Sequence, residues 1–358
     1  MHNIYFQLLD FQQGDRPMVV ATVTKSIGST PQKPGSSAIF NPKGLISGTV
    51  GGGVLEGEVQ KIAQKALNSK ESGYYSFKLD SEIGNGTGAI CGGQASILVD
   101  ATPEDNRIVF EQVIESIKER IPGVLVTMVS GIVDSKIKIQ RYWVTENEKD
   151  TIPHDQNRKI AIEVQRLLRG GNHSEYEELN IPFPGEKHNV TILLEPINPP
   201  PHLVIAGAGH IGKALTHIGK LLNFEVTVID DRVEYANSTN LPDADHIIVN
   251  DIGEAVGELK IAHDTFIVIV TRGHKDDAKA LRECIGSGAA YVGMIGSKNK
   301  VAQMRAEFIK HGWAEPSEWK DIHAPIGLDI ESISVQEIAI SIAAQIIQVK
   351  NSKIPAYV

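Results

Sequence analysis

The chain has 358 residues, with 35 Lys and Arg against 44 Asp and Glu, for a formal charge of −9. Apolar residues make up 41% and charged residues 22%, which allows buried cores and excludes wholesale disorder. The length predicts two or three domains, the acidic balance argues against broad contact with nucleic acid, and two cysteines exclude a disulfide framework or a Cys-rich zinc site.

The first residues, MHNIYFQLLDF, lack a basic segment and carry Asp10, so they do not read as a secretory leader. No apolar run approaches the roughly 18–20 residues of a membrane span. The expectation is a cytoplasmic protein without membrane contact. Ile4–Leu9 reads as a helix leading into a strand at Met18–Val23. Lys25–Ser37 then supplies small residues and two lysines, Lys25 and Lys33. Gly44–Gly53 runs into a helix over Val54–Leu67, with Leu55, Val59, Ile62 and Ala66 on one face. Gly51, Gly52 and Gly53 place bare N–H groups before that helix, a cradle suited to an anion. Glu56 suits the helix dipole and would meet ligand amines or hydroxyls better than a phosphate.

A second glycine cluster, Gly84–Gly93, contains Cys91 and precedes a strand at Gln94–Val99. Open packing and nearby helix dipoles would favour the Cys91 thiolate, the form that ligates soft metals. The alternative is a small buried hydrophobe, which suits Cys284 better, inside the helical pattern Ala278–Ile285. The middle of the chain echoes its start. Ile108–Ile117 and Val124–Val129 repeat helix then strand, and a helix follows from about Arg158 to Leu168. Thr191–Glu195 before Pro196 resembles Ser96–Asp100 before Ala101. Residues 1–195 read either as two copies of one α/β unit or as two ordinary stretches alike by chance. Unrelated strand orders would exclude the duplication.

Pro199–Pro201 breaks the pattern, and apolar strands then alternate with helices to the end. The expected fold class is α/β. It comprises an N-terminal α/β domain at 1–195, a Pro-rich linker at 196–201 and a doubly wound, parallel-sheet, Rossmann-like domain at 202–358. Strands are expected at Leu203–Ala206, Val226–Ile229, His246–Val249, Phe266–Thr271 and Tyr291–Ile295, and Ser334–Glu337 reads as a capping box.

Gly207-Ala-Gly209-His210-Ile-Gly212 lies between a strand and a helix, the context that a G-x-G-x-x-G phosphate turn requires. Asp230, at the end of the next strand, is placed to accept ribose hydroxyls, which favours a free 2′-OH over a 2′-phosphate; Arg232 is the reservation. Thr271, His274, Asp277, Gly296 and Ser297 follow later strands and should approach the crevice mouth. The plainer reading of His274 and Asp277 is as solvated loop residues that cap a helix.

Together these motifs resemble the XdhC/CoxI family. Val20–Pro31, Gly48–Glu56, Cys91–Gly93, Gly207–Gly212, His323–Ile330 and Glu337–Gln345 carry the likeness, which covers most of the chain except roughly 104–190. The resemblance implies an accessory factor for xanthine dehydrogenase, in purine catabolism, or for a related molybdenum hydroxylase. Such a factor binds the molybdenum cofactor (molybdopterin), supports its sulfuration and inserts it into the apo-enzyme. It implies a chaperone without turnover, a homodimer, and apo-xanthine dehydrogenase and a cysteine desulfurase as partners. Carried onto this chain, it puts Gly51, Gly52, Gly53, Glu56, Cys91, Gly92 and Gly93 at or near the cofactor, with Cys91 as ligand to Mo. The Gly207–Gly212 turn is expected to take a nucleotide or NAD. One competing reading is an NAD-dependent oxidoreductase with His274 as acid/base, although no feature defines a hydride acceptor site. Another is a redox or nucleotide sensor that uses Cys91.

Overall fold

The computed structural model describes residues 4–12, 17–79, 93–132, 137–146, 158–170, 175–183 and 185–352. These form two compact units that part between Pro199 and Pro200.

The first unit begins with α1 (Ile4–Gln12), β1 (Val19–Ile27), β2 (Ser37–Asn41), β3 (Gly44–Gly48), α2 (Gly53–Ser69), β4 (Gly73–Leu79) and β5 (Gly93–Asp100). It continues with α3 (Arg107–Lys118), β6 (Gly123–Ser130), β7 (Lys138–Thr145), α4 (Arg158–Gly170), β8 (Glu177–Ile181) and β9 (Val190–Ile197). The first set forms an antiparallel sheet of order β3-β2-β1-β5-β4, and the second one of order β7-β6-β9-β8. Without the edge hairpin strand β3 the two orders coincide, element for element, as a duplication requires. Alternation then sorts the side chains. Val19, Ala21 and Val23 pack beneath α2, and Val124, Val126 and Met128 pack beneath α4.

The opposite faces of the two sheets meet, and equivalent positions meet each other. Leu98 and Leu193 share one core cluster. Their strand partners Tyr74 and Glu178 are joined by a 3.0 Å bond from the Tyr74 hydroxyl. Tyr5 of α1 stacks on Phe110 of α3 at 5.3 Å. This self-matching contact has the logic of an isologous dimer within one chain. Two acids also take equivalent places: Asp100 lies opposite Val20, and Glu195 opposite Leu125. Arg141 Nη1 donates to Asp100 Oδ2 at 2.6 Å, and the Tyr5 hydroxyl donates to Glu195 Oε2 at 2.6 Å. Glu195 is half-buried as a residue, but its carboxyl is enclosed by protein. Burial pushes that carboxyl up to about 7, against the Tyr5 bond and the Arg141 charge.

The second unit contains β10 (His202–Ala206), α5 (His210–Leu221), β11 (Glu225–Asp230), β12 (His246–Val249), α6 (Ile252–Glu258), β13 (Thr265–Ile269) and α7 (His274–Cys284). It ends with β14 (Tyr291–Met294), α8 (Lys298–Lys310), β15 (Ile322–His323) and α9 (Val335–Asn351). The strands are parallel in the order β12-β11-β10-β13-β14-β15. Leu215 of α5 and Ile342 of α9 cover one face, while Val256, Leu281 and Phe308 of α6, α7 and α8 cover the other. Both faces are therefore apolar, which is why these strands read as unbroken apolar runs. Ser334 and Glu337 form the expected capping box at the start of α9. Chain order reverses at β10, with β11 on one side and β13 on the other, so ligands are expected beyond the ends of these strands.

Candidate functional site

In the first unit, the loop after β1 lies against Gly51 and Gly93. Pro31 lies where a Cβ on Gly51 would fall, 2.6 Å from its Cγ, and a Cβ on Gly93 would collide with the Ser29 carbonyl. Gly52 has φ 66° and ψ 179°, a conformation essentially restricted to glycine. A Cβ on Gly52 or Gly53 would meet nothing within 4 Å, so the backbone before α2 faces open space. Glu56 turns back toward the loop. Its Oε2 accepts from the Thr49 hydroxyl at 2.7 Å and the Val50 amide at 3.4 Å, so this oxygen holds the cradle's own backbone. Cys91 and Gly92 lie outside the described residues. Among the described residues, no three His, Cys, Asp or Glu side chains converge to hold a metal.

In the second unit, Gly207, Gly209 and Gly212 open α5. Gly207 has φ +121°, and its added Cβ would lie 2.5 Å from the Val270 carbonyl oxygen. A Cβ on Gly212 would collide with the Gly207 carbonyl, so the helix packs directly on the turn. Gly209 faces open space, which leaves its backbone approachable by a phosphate. His210 is exposed and lines a cavity of about 610 Å³ along α5 with Lys213, His217 and Asp243. Asp230 is buried and engaged within the chain. Its Oδ1 accepts from the Arg232 amide at 3.0 Å and Arg232 Nε at 2.8 Å, and its Oδ2 from the Ala208 amide at 2.8 Å and Arg232 Nη2 at 2.9 Å. Burial raises its pKa, but the Arg232 and amide bonds outweigh burial and hold the carboxyl below its ordinary value.

Thr271 and Asp277 come together, with the Thr271 hydroxyl donating to Asp277 Oδ1 at 2.6 Å. Asp277 is fully buried and also pairs with Lys300, a residue that no sequence motif marks. Lys300 lies three residues past Ser297, whose hydroxyl caps α8 by accepting from the Lys300 amide at 3.2 Å. Gly296 packs against the Lys300 side chain. Four of the expected residues thus form one cluster around Lys300. His274 instead faces Glu307 of α8, its Nε2 3.3 Å from Oε2, and both are exposed. Cys284 is buried, and burial pushes its thiol up to about 12.

The profile described as "XdhC and CoxI family" matches residues 11–78, and that described as "XdhC Rossmann domain" matches residues 203–346. The chain belongs to the XdhC and CoxI family. It is 26% identical over 357 residues to a Bacillus subtilis protein named as a probable subunit of xanthine dehydrogenase, covering 98% of both chains. It is 35% identical over 153 residues to the uncharacterized protein YqeB of Escherichia coli, covering 42% of this chain and 28% of that one. The crystal structure of a xanthine dehydrogenase from Bacillus halodurans shares the fold. It gives a TM-score of 0.75 at 23% identity and covers 99% of this chain and 98% of that one. Among the described residues, no helix is long and apolar enough to cross a membrane.

Proposed function

We propose that this chain is an accessory factor for xanthine dehydrogenase or a related molybdenum hydroxylase. It holds the molybdenum cofactor, supports its sulfuration and hands it to the apo-enzyme, with a cysteine desulfurase as the source of sulfur. The observation that carries this reading is the end-to-end similarity, 98% of both chains, to the Bacillus subtilis protein named for xanthine dehydrogenase. The open backbone at Gly52 and Gly53 fits an anionic group such as the cofactor's phosphate. When bound, the cofactor would supply the molybdenum centre that takes up the sulfido ligand. The chain's part is to bind the phosphate end at Gly51–Gly53 and present the Cys91 thiolate to the soft metal. The crevice at Gly207–Gly212 takes a nucleotide in the same reading.

Protein made in a molybdopterin-competent host should co-purify with molybdenum and a fluorescent pterin. Cys91→Ala should lower the molybdenum retained while leaving the fold intact by circular dichroism. A preparation without pterin, together with full hydroxylase activity in a strain lacking this chain, would falsify the proposal.

A further inference from the structure

The ribose end of the crevice does not look like an ordinary diol site. An acid at the end of β11 serves that purpose by accepting hydrogen bonds from the two ribose hydroxyls. Asp230 has no acceptor position left for them, because each oxygen already takes two N–H donors. Beside it, Arg232 is partly exposed. It spends Nε and one Nη2 proton on Asp230, so its Nη1 protons and the second Nη2 proton are left. The guanidinium lies over the Tyr235 ring, 3.9 Å from its centroid.

A second guanidinium stands across the turn. Arg272, just past β13, donates from Nη2 to Asp231 Oδ2 at 2.9 Å. Asp231 Oδ1 lies 3.8 Å from Arg232 Nε, so one partly exposed carboxylate is shared by two arginines. This bridge links the ends of β13 and β11, with the Gly207 turn on β10 between them. A carboxylate held between two guanidiniums occupies the kind of place a phosphate takes, and a dianion gains more there than a monoanion does.

We propose that the crevice takes a nucleotide with an additional phosphate on its ribose, as in NADPH, and that Arg232 and Arg272 receive this phosphate in place of Asp231. The inference rests on the reading that the crevice holds a nucleotide at all. Asp230 then has a supporting role, orienting the Arg232 fork. Asp231 is a competitor that an incoming phosphate displaces.

The test is equilibrium titration of the full chain with NADPH and with NADH at one fixed salt concentration, followed by calorimetry. NADPH should bind at least about tenfold more tightly than NADH. Arg272→Ala should remove most of that preference while changing NADH affinity less than about twofold, and Asp231→Asn should strengthen NADPH binding. Arg232→Ala disturbs a buried pair, so Arg232→Lys is measured beside it; it keeps the charge, loses the fork and should lose the preference. Equal or tighter binding of NADH would overturn the inference and leave the nucleotide reading standing. Arginine variants that weaken both nucleotides alike would do the same. Binding of neither nucleotide would remove both.

Discussion

Glu195, near the end of β9, and Asp230, at the end of β11, each set a carboxyl group into the protein near an arginine, yet their acidities move in opposite directions. Burial favours the neutral acid at both. At Asp230 it is outweighed by the Arg232 fork and the amides of Ala208 and Arg232. At Glu195 burial wins and lifts the carboxyl to about 7. The donors differ as well as the enclosure. Asp230 receives the Arg232 fork and two backbone amides directly. Glu195 receives the Tyr5 hydroxyl but only the field of Arg141, whose Nη1 is bonded to Asp100. The duplication put two equivalent acids at one interface, and one guanidinium serves both. Glu195 is also the more fully enclosed carboxyl, so the contrast reflects both the depth of enclosure and the number of N–H groups aimed at the carboxylate.

The largest break in this comparison should come from Arg141→Ala. It leaves Asp100 buried without a counter-charge, and urea unfolding followed by tryptophan fluorescence should show a loss of about 3–5 kcal/mol. The same change should move the Glu195 titration upward, because the charge that opposes burial is gone. A loss below about 1 kcal/mol would mean that the pair behaves as an exposed one.

Next in size is Glu195→Gln. In the folded chain Glu195 keeps its proton up to about pH 7, whereas an unfolded glutamate releases it near 4.5. Its contribution is complete below the unfolded value and is lost as pH rises through 7. At about 1.4 kcal/mol per pKa unit this amounts to about 3 kcal/mol between pH 4.5 and 8. The Gln variant should flatten that slope and be more stable than the parent at pH 8. Asp230 works with the opposite sign, since its lowered pKa adds stability that is lost toward acid pH. An unchanged slope in the Gln variant would show that Glu195 is ionised at neutral pH.

The sequence made the second unit easier to read than the first. Parallel strands covered on both faces leave long apolar runs, and the Gly207 turn and Ser334 box are local signals. Strands β2, β3, β4, β7 and β8 are short or half-exposed, so their apolar runs are weak. The repeat was visible in the helix-then-strand order that opens each half and where the buried strands β5 and β9 run to Asp100 and Glu195. At the site, the glycine positions were legible because a tight turn or an open backbone demands them. The fate of the charged groups was not. Whether Asp230 faces a ligand or Arg232 depends on a rotamer, and the Arg141–Asp100 and Lys300–Asp277 pairs join residues distant in sequence.

Two hydroxyls sharpen the comparison further. Tyr5→Phe removes the bond that opposes burial at Glu195, so the pH midpoint should rise, at a cost of about 1 kcal/mol. The smallest effect is expected at Tyr176. Its hydroxyl is buried beside the same cluster and has no hydrogen-bond partner among the described residues. Removing an unsatisfied polar atom relieves a desolvation cost, so Tyr176→Phe should be neutral or stabilising by up to about 1 kcal/mol. Gly35, whose Cβ would lie 3.3 Å from the Tyr176 ring, should keep its contact because the ring is retained. If the variant is instead less stable and moves the Glu195 midpoint, the hydroxyl reaches that carboxyl through a bound water. Glu195 would then have a second donor, still fewer than the four N–H groups that reach Asp230, and its midpoint would sit lower for that reason.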